Sequence, residues 1–252
     1  MNLTVPLSLG LPQANVAHVW QLQCSAASDV RSHWLAWLSK EERQRWSNYR
    51  RETDRDRFIY SRGGLRYLLA SYLNQLPTSL QLAYGHHGKP YLTQEPLSLR
   101  FNVAHSGDWM VFGFSHKALI GVDVEVLQPR RRLSALIQRC LTVEEQAQLP
   151  AASEARLAQF LRYWTLKEAH LKAIGLGLSY PIKRVQVALA PTSHLICPAQ
   201  VPDEPNEDWQ VELWQPSDGA IAAVCIGQAE CEIQRFRLTP MPPSGQSPKT
   251  LQ

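Results

Sequence analysis

No run of about 18 apolar residues occurs in this chain of 252 residues, so a membrane-spanning helix is not expected. The opening Met1-Asn2-Leu3-Thr4-Val5-Pro6 lacks a basic stretch followed by an apolar one, which argues against a secretory signal and for the cytoplasm. Cysteine is sparse. Cys24, Cys140, Cys197, Cys225 and Cys231 give an odd count with no Cys-x-x-Cys pair, so neither a disulfide framework nor a zinc knuckle is expected, and the thiols are read as buried or incidental. A strong charge imbalance is also missing: 26 Lys and Arg against 22 Asp and Glu leave a net charge of +4. No nucleic-acid motif is recognisable, and the basic residues are not interleaved with aromatics in a stacking pattern.

What is present is a hydrophobic fraction of 44%, ordinary for a chain that buries a real core as one large domain or two small ones. Basic residues crowd two places, Arg43 to Arg66 and Arg130 to Arg132, which favours an anionic ligand or partner. Two acidic motifs carry more. In Gly121-Val122-Asp123-Val124-Glu125 the alternation of a strand puts Asp123 and Glu125 on one face. In Trp164-Thr165-Leu166-Lys167-Glu168-Ala169-His170-Leu171-Lys172 helical spacing places Glu168 and Lys172 one turn apart on the same side. Read alone, Asp123 and Glu125 would be a solvated strand face and Glu168 with Lys172 a surface pair. His86 and His87 stand side by side without further Cys or His, so they are assigned no metal.

The chain also repeats itself. A strand over 16–24, a helix over 30–38, a capping box at Ser39-Lys40-Glu41-Glu42 and a long helix near 55–75 form one series. A strand over 119–126, a helix over 133–140, a capping box at Thr142-Val143-Glu144-Glu145 and a helix over 154–174 form the second. The strands, first helices and boxes superpose at one offset of 103 residues, which sets Trp20 and Leu22 against Asp123 and Glu125. The expected fold is α/β, of α+β type: two similar halves related by a pseudo-twofold axis, 1–117 and 118–239. Strands are expected near 183–189, 209–214 and 220–226, a Pro-rich loop over 191–208, and a disordered tail over 240–252.

Gly88-Lys89-Pro90, Phe101-Asn102-Val103-Ala104-His105-Ser106, Gly121 to Glu125 and Trp164 to Lys172 occur in that order and spacing. Together they resemble the 4′-phosphopantetheinyl transferases of the Sfp type, over nearly the whole chain. The resemblance implies an enzyme that moves the phosphopantetheine arm of coenzyme A onto a serine of an apo acyl or peptidyl carrier protein, with Mg²⁺, releasing 3′,5′-ADP. It implies an active site in the cleft between the two halves, with Asp123, Glu125 and Glu168 as metal ligands, hard oxygens of the kind Mg²⁺ takes. Glu168 would serve as base, Lys172 would assist the leaving group, and His105 would touch the phosphates. Arg57 and Arg45 would reach the nucleotide end, Gly88, Lys89 and Pro90 the adenine and ribose, and Lys167 a phosphate or the carrier. Ala104 stands where many relatives have Ser, and Trp164 would be core packing beneath the site. The length resembles the monomeric broad-specificity group, with neither nucleic acid nor membrane as partner. A Mg²⁺-dependent phosphohydrolase acting on a nucleotide, or a nuclease, would also use clustered carboxylates and basic residues. A basic module binding RNA through residues 43–66 is the reading from outside enzymology.

Overall fold

Burial along the strands shows how the chain is layered; the computed structural model describes residues 9–85, 88–94, 98–189, 192–199 and 208–239. The readings of His86, His87 and the tail from 240 lie outside those residues. β1 (Val16–Gln23) turns Trp20 and Leu22 to one face and Ala17 and Val19 to the other, and all four are buried. A strand covered on both faces is interior. A 3₁₀ segment over Cys24–Val30 leads into α1 (Arg31–Trp37), α2 (Lys40–Ser47) and the 22-residue α3 (Glu52–Leu73). β2 (Leu82–Tyr84) and β3 (Pro90–Leu92) form a small hairpin whose turn holds the Gly88-Lys89-Pro90 motif. β4 (Leu99–Ser106) and β5 (Trp109–His116) then join β1 by antiparallel pairing.

The second series follows the same order. β6 (Ile120–Val126), α4 (Leu133–Cys140), α5 (Val143–Ala147) and the 22-residue α6 (Ser153–Ile174) precede a hairpin of β7 (Gln186–Ala188) and β8 (His194–Cys197). β9 (Trp209–Ser217) and β10 (Ala220–Gly227) complete a sheet of order β6-β10-β9. The last strand, β11 (Glu232–Arg237), runs back to the first sheet and pairs in parallel with β1, giving the order β11-β1-β5-β4. The sequence expectation of a second half running unbroken to 239 therefore does not extend to β11. The loop expected over 191–208 likewise contains β8, which β7 recruits by pairing from Gln186 to Ala188.

One buried glutamate organises each series. Ser39 and Glu42 form a capping box at the start of α2, and Glu42 also accepts from Arg66 Nε on α3 at 2.8 Å and from the Tyr84 hydroxyl on β2 at 3.0 Å. Thr142 and Glu145 form the box of α5. Glu145 accepts from Lys167 Nζ on α6 at 2.6 Å and from the Val187 amide on β7 at 3.1 Å. In both series one carboxylate thus ties the short helix, the long helix and the hairpin together. Breaking such a buried pair from one side would cost about 3–5 kcal/mol.

Three apolar clusters fill the layers. Trp20, Leu22, Met110 and Phe112 pack under α1 and α3, while Ile221, Ala223 and Cys225 pack with Leu166 and Ala169 of α6. The third cluster lies between the two sheets, with Ala17, Val19 and Val111 against Val122, Val124 and Val224. The four cysteines that the structure describes with side chains, Cys24, Cys140, Cys225 and Cys231, are buried free thiols. No helix among the described residues is long and apolar enough to cross a membrane.

Where β4 and β6 meet, side chains bond backbone: the Val122 amide donates to Asn102 Oδ1 at 2.9 Å and the Val126 amide to Ser106 Oγ at 3.2 Å. On its other face β6 lies against α6 so closely that a Cβ at Gly121 would stand 1.9 Å from the Ala169 carbonyl oxygen and 2.4 Å from the Ala173 nitrogen. Both are backbone atoms and cannot turn aside. Gly121→Ala should therefore destabilise the fold by about 3 kcal/mol or more, read from chemical denaturation, because overpacking against the backbone of α6 displaces the helix; a loss below about 0.5 kcal/mol would show that α6 is free to move.

Candidate active site

The close approach at Gly121 brings the acidic face of β6 under α6. Lys172 Nζ donates to Asp123 Oδ1 at 2.5 Å, an ion pair in which Asp123 is almost wholly buried. Glu125 is held by three donors: Trp164 Nε1 at 3.0 Å, the Ser106 hydroxyl at 3.0 Å and Arg130 Nη2 at 2.5 Å. Trp164 is thus more than packing, since its indole N–H fixes a carboxylate. Glu168 is buried beside them, and its Oε1, like Asp123 Oδ2, has no hydrogen-bond partner among the described residues.

Crowded carboxylates resist ionisation. Burial and then the charge of Asp123 raise the Glu168 pKa from 4.5 to about 7, with Lys172 opposing. Burial raises Asp123 from 3.8 to about 6, again against Lys172. Burial by itself would lower Lys172, but Asp123 and then Glu168 outweigh it, so its pKa is raised and it stays an ammonium. Glu168 is left near neutrality as a carboxyl that can take or hold a proton.

Two orphaned buried oxygens, one each on Asp123 and Glu168, are what a hard cation would satisfy. Glu125 differs, since both its oxygens already accept from protein donors. Among the described residues no three His, Cys, Asp or Glu groups are arranged to hold one ion. The donor chemistry fits Mg²⁺ at Asp123 and Glu168, with Glu125 held in place behind them.

Beside the carboxylates lies a cavity of about 200 Å³ lined by His105, Asn102, Lys172, Arg62 and the Gly88-Lys89-Pro90 turn. Partial burial, then the charges of Arg57, Lys172 and Arg62, push the His105 pKa down to about 4. The residue keeps an exposed face, so the three cations are the more durable cause. Lys89 Nζ donates to the carbonyls of Lys172 at 2.6 Å and Ala173 at 3.1 Å, so its charge sits at the C-terminus of α6. Gly175 closes that end with φ +79°, a conformation glycine adopts freely, and lines the same cavity.

Several expected residues lie elsewhere. Lys167, assigned to a phosphate or the carrier, is fully buried, with its ammonium on Glu145 and the Cys140 carbonyl. Its position on the helix turns it into the second core, one residue away from Glu168 and so about 100° round the axis. Ala104 is buried in the cluster between the sheets, so its side chain offers nothing to the cleft. Arg45 is exposed and packs 5.8 Å over the Phe58 ring, and it does not line the cavity. Arg57 pairs with Asp54 at 3.1 Å. Sequence reasoning gave no individual role to Arg62, Arg130, Ser106 or Asn102; Ser106 and Asn102 meet β6 from 19 and 20 residues away.

Known proteins match both halves. The model described as 4′-phosphopantetheinyl transferase superfamily matches residues 119–225, and the one described as 4′-phosphopantetheinyl transferase, N-terminal, matches residues 25–116. The chain is 31% identical to the 4′-phosphopantetheinyl transferase HetI of Nostoc sp. over 212 residues, 83% of this chain and 86% of HetI. The chain belongs to the 4′-phosphopantetheinyl transferase superfamily. It is also 42% identical to slr0495 of Synechocystis sp. over 152 residues, 60% of this chain and 62% of that protein. The 4′-phosphopantetheinyl transferase of Bacillus subtilis is 27% identical over 78% of this chain and 85% of its own length. The chain is therefore an enzyme of the transferase class, and the phosphohydrolase and RNA-module readings lose their support.

The raised pKa of Glu168 has a signature in stability. Unfolded, the carboxyl ionises near 4.5; folded, near about 7; between those values the folded state holds the extra proton, so stability falls as pH rises. In metal-free buffer the wild type should lose up to about 3 kcal/mol relative to Glu168→Gln between about pH 5 and pH 8, measured by denaturation. Parallel stability curves for the two proteins would remove the burial effect at this residue.

Proposed function

We propose that this enzyme transfers the 4′-phosphopantetheine arm of coenzyme A to a serine hydroxyl of an apo acyl or peptidyl carrier protein, releasing 3′,5′-ADP. The observation that supports it best is the adjacency of two features: carboxylates with unpartnered oxygens under α6, and a cation-lined cavity beside them, with Lys172 in both. A pyrophosphate whose one end is reacting and whose other end is a nucleotide needs both. We read the chain as two halves, 1–117 and 118–239, with β11 returned to the first sheet and the cleft between them as the site. The residue roles are proposals of the same reading.

Bound at Asp123 and Glu168, Mg²⁺ would supply a Lewis acid for the pyrophosphate oxygens. The protein's own groups do the rest. Glu168, buried with one oxygen that has no partner among the described residues, takes the proton of the attacking serine. The serine oxygen forms a bond to the phosphorus that carries the pantetheine arm, and the bond from that phosphorus to the bridging oxygen breaks. The bridging oxygen leaves with 3′,5′-ADP, and Lys172, kept protonated by Asp123, donates a charge-assisted hydrogen bond to it. His105 lines the cavity with Lys172 and Arg62 and gives hydrogen-bonding capacity beside the phosphates. Trp164, Ser106 and Arg130 hold Glu125 behind the reacting groups. The backbone of Gly88 to Pro90 and the nearby Arg57 are left for the nucleotide end; Arg45 could reach it only from outside the cavity.

We further read the protein as a monomer of the Sfp type, acting in the cytoplasm on one or more of the fatty acid, polyketide or nonribosomal peptide carriers. Incubation with coenzyme A, Mg²⁺ and a panel of apo carriers, followed by mass measurement, should show the arm added to at least one carrier. Glu168→Gln should lower that rate roughly a hundredfold or more with the fold intact. No mass gain on any carrier would overturn the function, and near-normal turnover in the variant would remove Glu168 from the chemistry.

A further inference from the structure

The arginines between residues 43 and 66 are sorted by their partners. Arg43, Arg55, Arg57 and Arg66 are each engaged with a carbonyl or carboxylate of the protein. Arg62 is not. It is half-buried, lies over the rings of Phe58 at 5.7 Å and Tyr84 at 5.1 Å, and lines the cavity it shares with His105 and Lys172. Among the described residues its buried Nε has no hydrogen-bond partner and no carboxylate forms an ion pair with it. Glu42, whose partner Tyr84 lies against Arg62, already accepts from Arg66, Tyr84 and the Ser39 amide.

A guanidinium that has surrendered water at Nε without gaining an acceptor is poorly placed for stability alone. The same placement suits an incoming anion, because stacking on two rings fixes the plane of the fork and so orients its N–H groups in advance. We infer that Arg62 is a phosphate-binding residue of the cleft, giving the edge of its guanidinium to an anionic oxygen of coenzyme A. This rests on the transferase reading for the identity of the ligand. The 3′-phosphate and the pyrophosphate offer the same chemistry, and the measurement separates them.

Titration calorimetry on wild type, Arg62→Gln and Arg62→Lys with coenzyme A, dephospho-coenzyme A and inorganic pyrophosphate tests this. Arg62→Gln should bind coenzyme A roughly tenfold or more weakly, and Arg62→Lys should recover only part of the loss, since an ammonium restores charge without the fork. A loss confined to coenzyme A assigns the 3′-phosphate; an equal loss with dephospho-coenzyme A assigns the pyrophosphate; both support the inference. Wild-type affinity of Arg62→Gln for all three ligands, with only its melting temperature changed, would reduce Arg62 to a stacking residue and overturn it. If the wild type binds pyrophosphate but not coenzyme A, the transferase reading fails, and Arg62 is then judged on pyrophosphate alone.

Discussion

Carboxylates buried side by side repel one another unless a cation is held among them, and in this chain the resident cation is Lys172. Its ammonium lies 2.5 Å from Asp123, close enough to Glu168 and Glu125 for all three charges to act on it, and its own carbonyl accepts from Lys89 of the first half. Remove that ammonium and Asp123 and Glu168 would both be driven toward their neutral forms. The placement depends on Gly121, since only a residue without a Cβ lets α6 lie on β6 at that distance.

The scaffold around this pair is built twice, the chemistry once. Trp20 and Leu22 occupy in β1 the face that Asp123 and Glu125 occupy in β6, and there they are core, with the Trp20 indole donating to Tyr72 of α3 at 2.8 Å. Both halves keep the glutamate that joins a capping box to a buried cation, Arg66 in one and Lys167 in the other. What the halves share is therefore the framework that positions the long helix. What differs is what that helix covers: aromatic core under α3, carboxylates under α6. The first half still contributes, because β4 supplies Asn102, His105 and Ser106 at the edge of β6, and α3 supplies Arg62.

Local signals in the sequence carried far, and long-range ones did not. The two capping boxes, the two long helices and the alternation of β6 are short-range patterns, and each is found where it was read, within a few residues. β5 escaped because it is buried on both faces and shows no alternation from Trp109 to Ser115. β11 escaped because its pairing with β1 spans almost the whole chain. The same division runs through the site. Helical spacing brought Glu168 and Lys172 together, yet Lys167 could not be told from them, since its partner Glu145 lies 22 residues away across a turn of structure. The ties of Glu125 to Trp164, Ser106 and Arg130, and the solitude of Arg62, exist only once the sheets are assembled.

In the proposed reaction, metal and pyrophosphate meet on the acidic face of β6 under α6. Crystals grown with coenzyme A and Mn²⁺ in place of Mg²⁺ would test it by anomalous scattering. The expected result is a single strong peak bonded to carboxylate oxygens of Asp123 and Glu168 and to the pyrophosphate, with the phosphates beside His105 and Lys172. Ordered coenzyme A whose pyrophosphate lies away from these residues, or a metal peak that touches neither carboxylate, would contradict it.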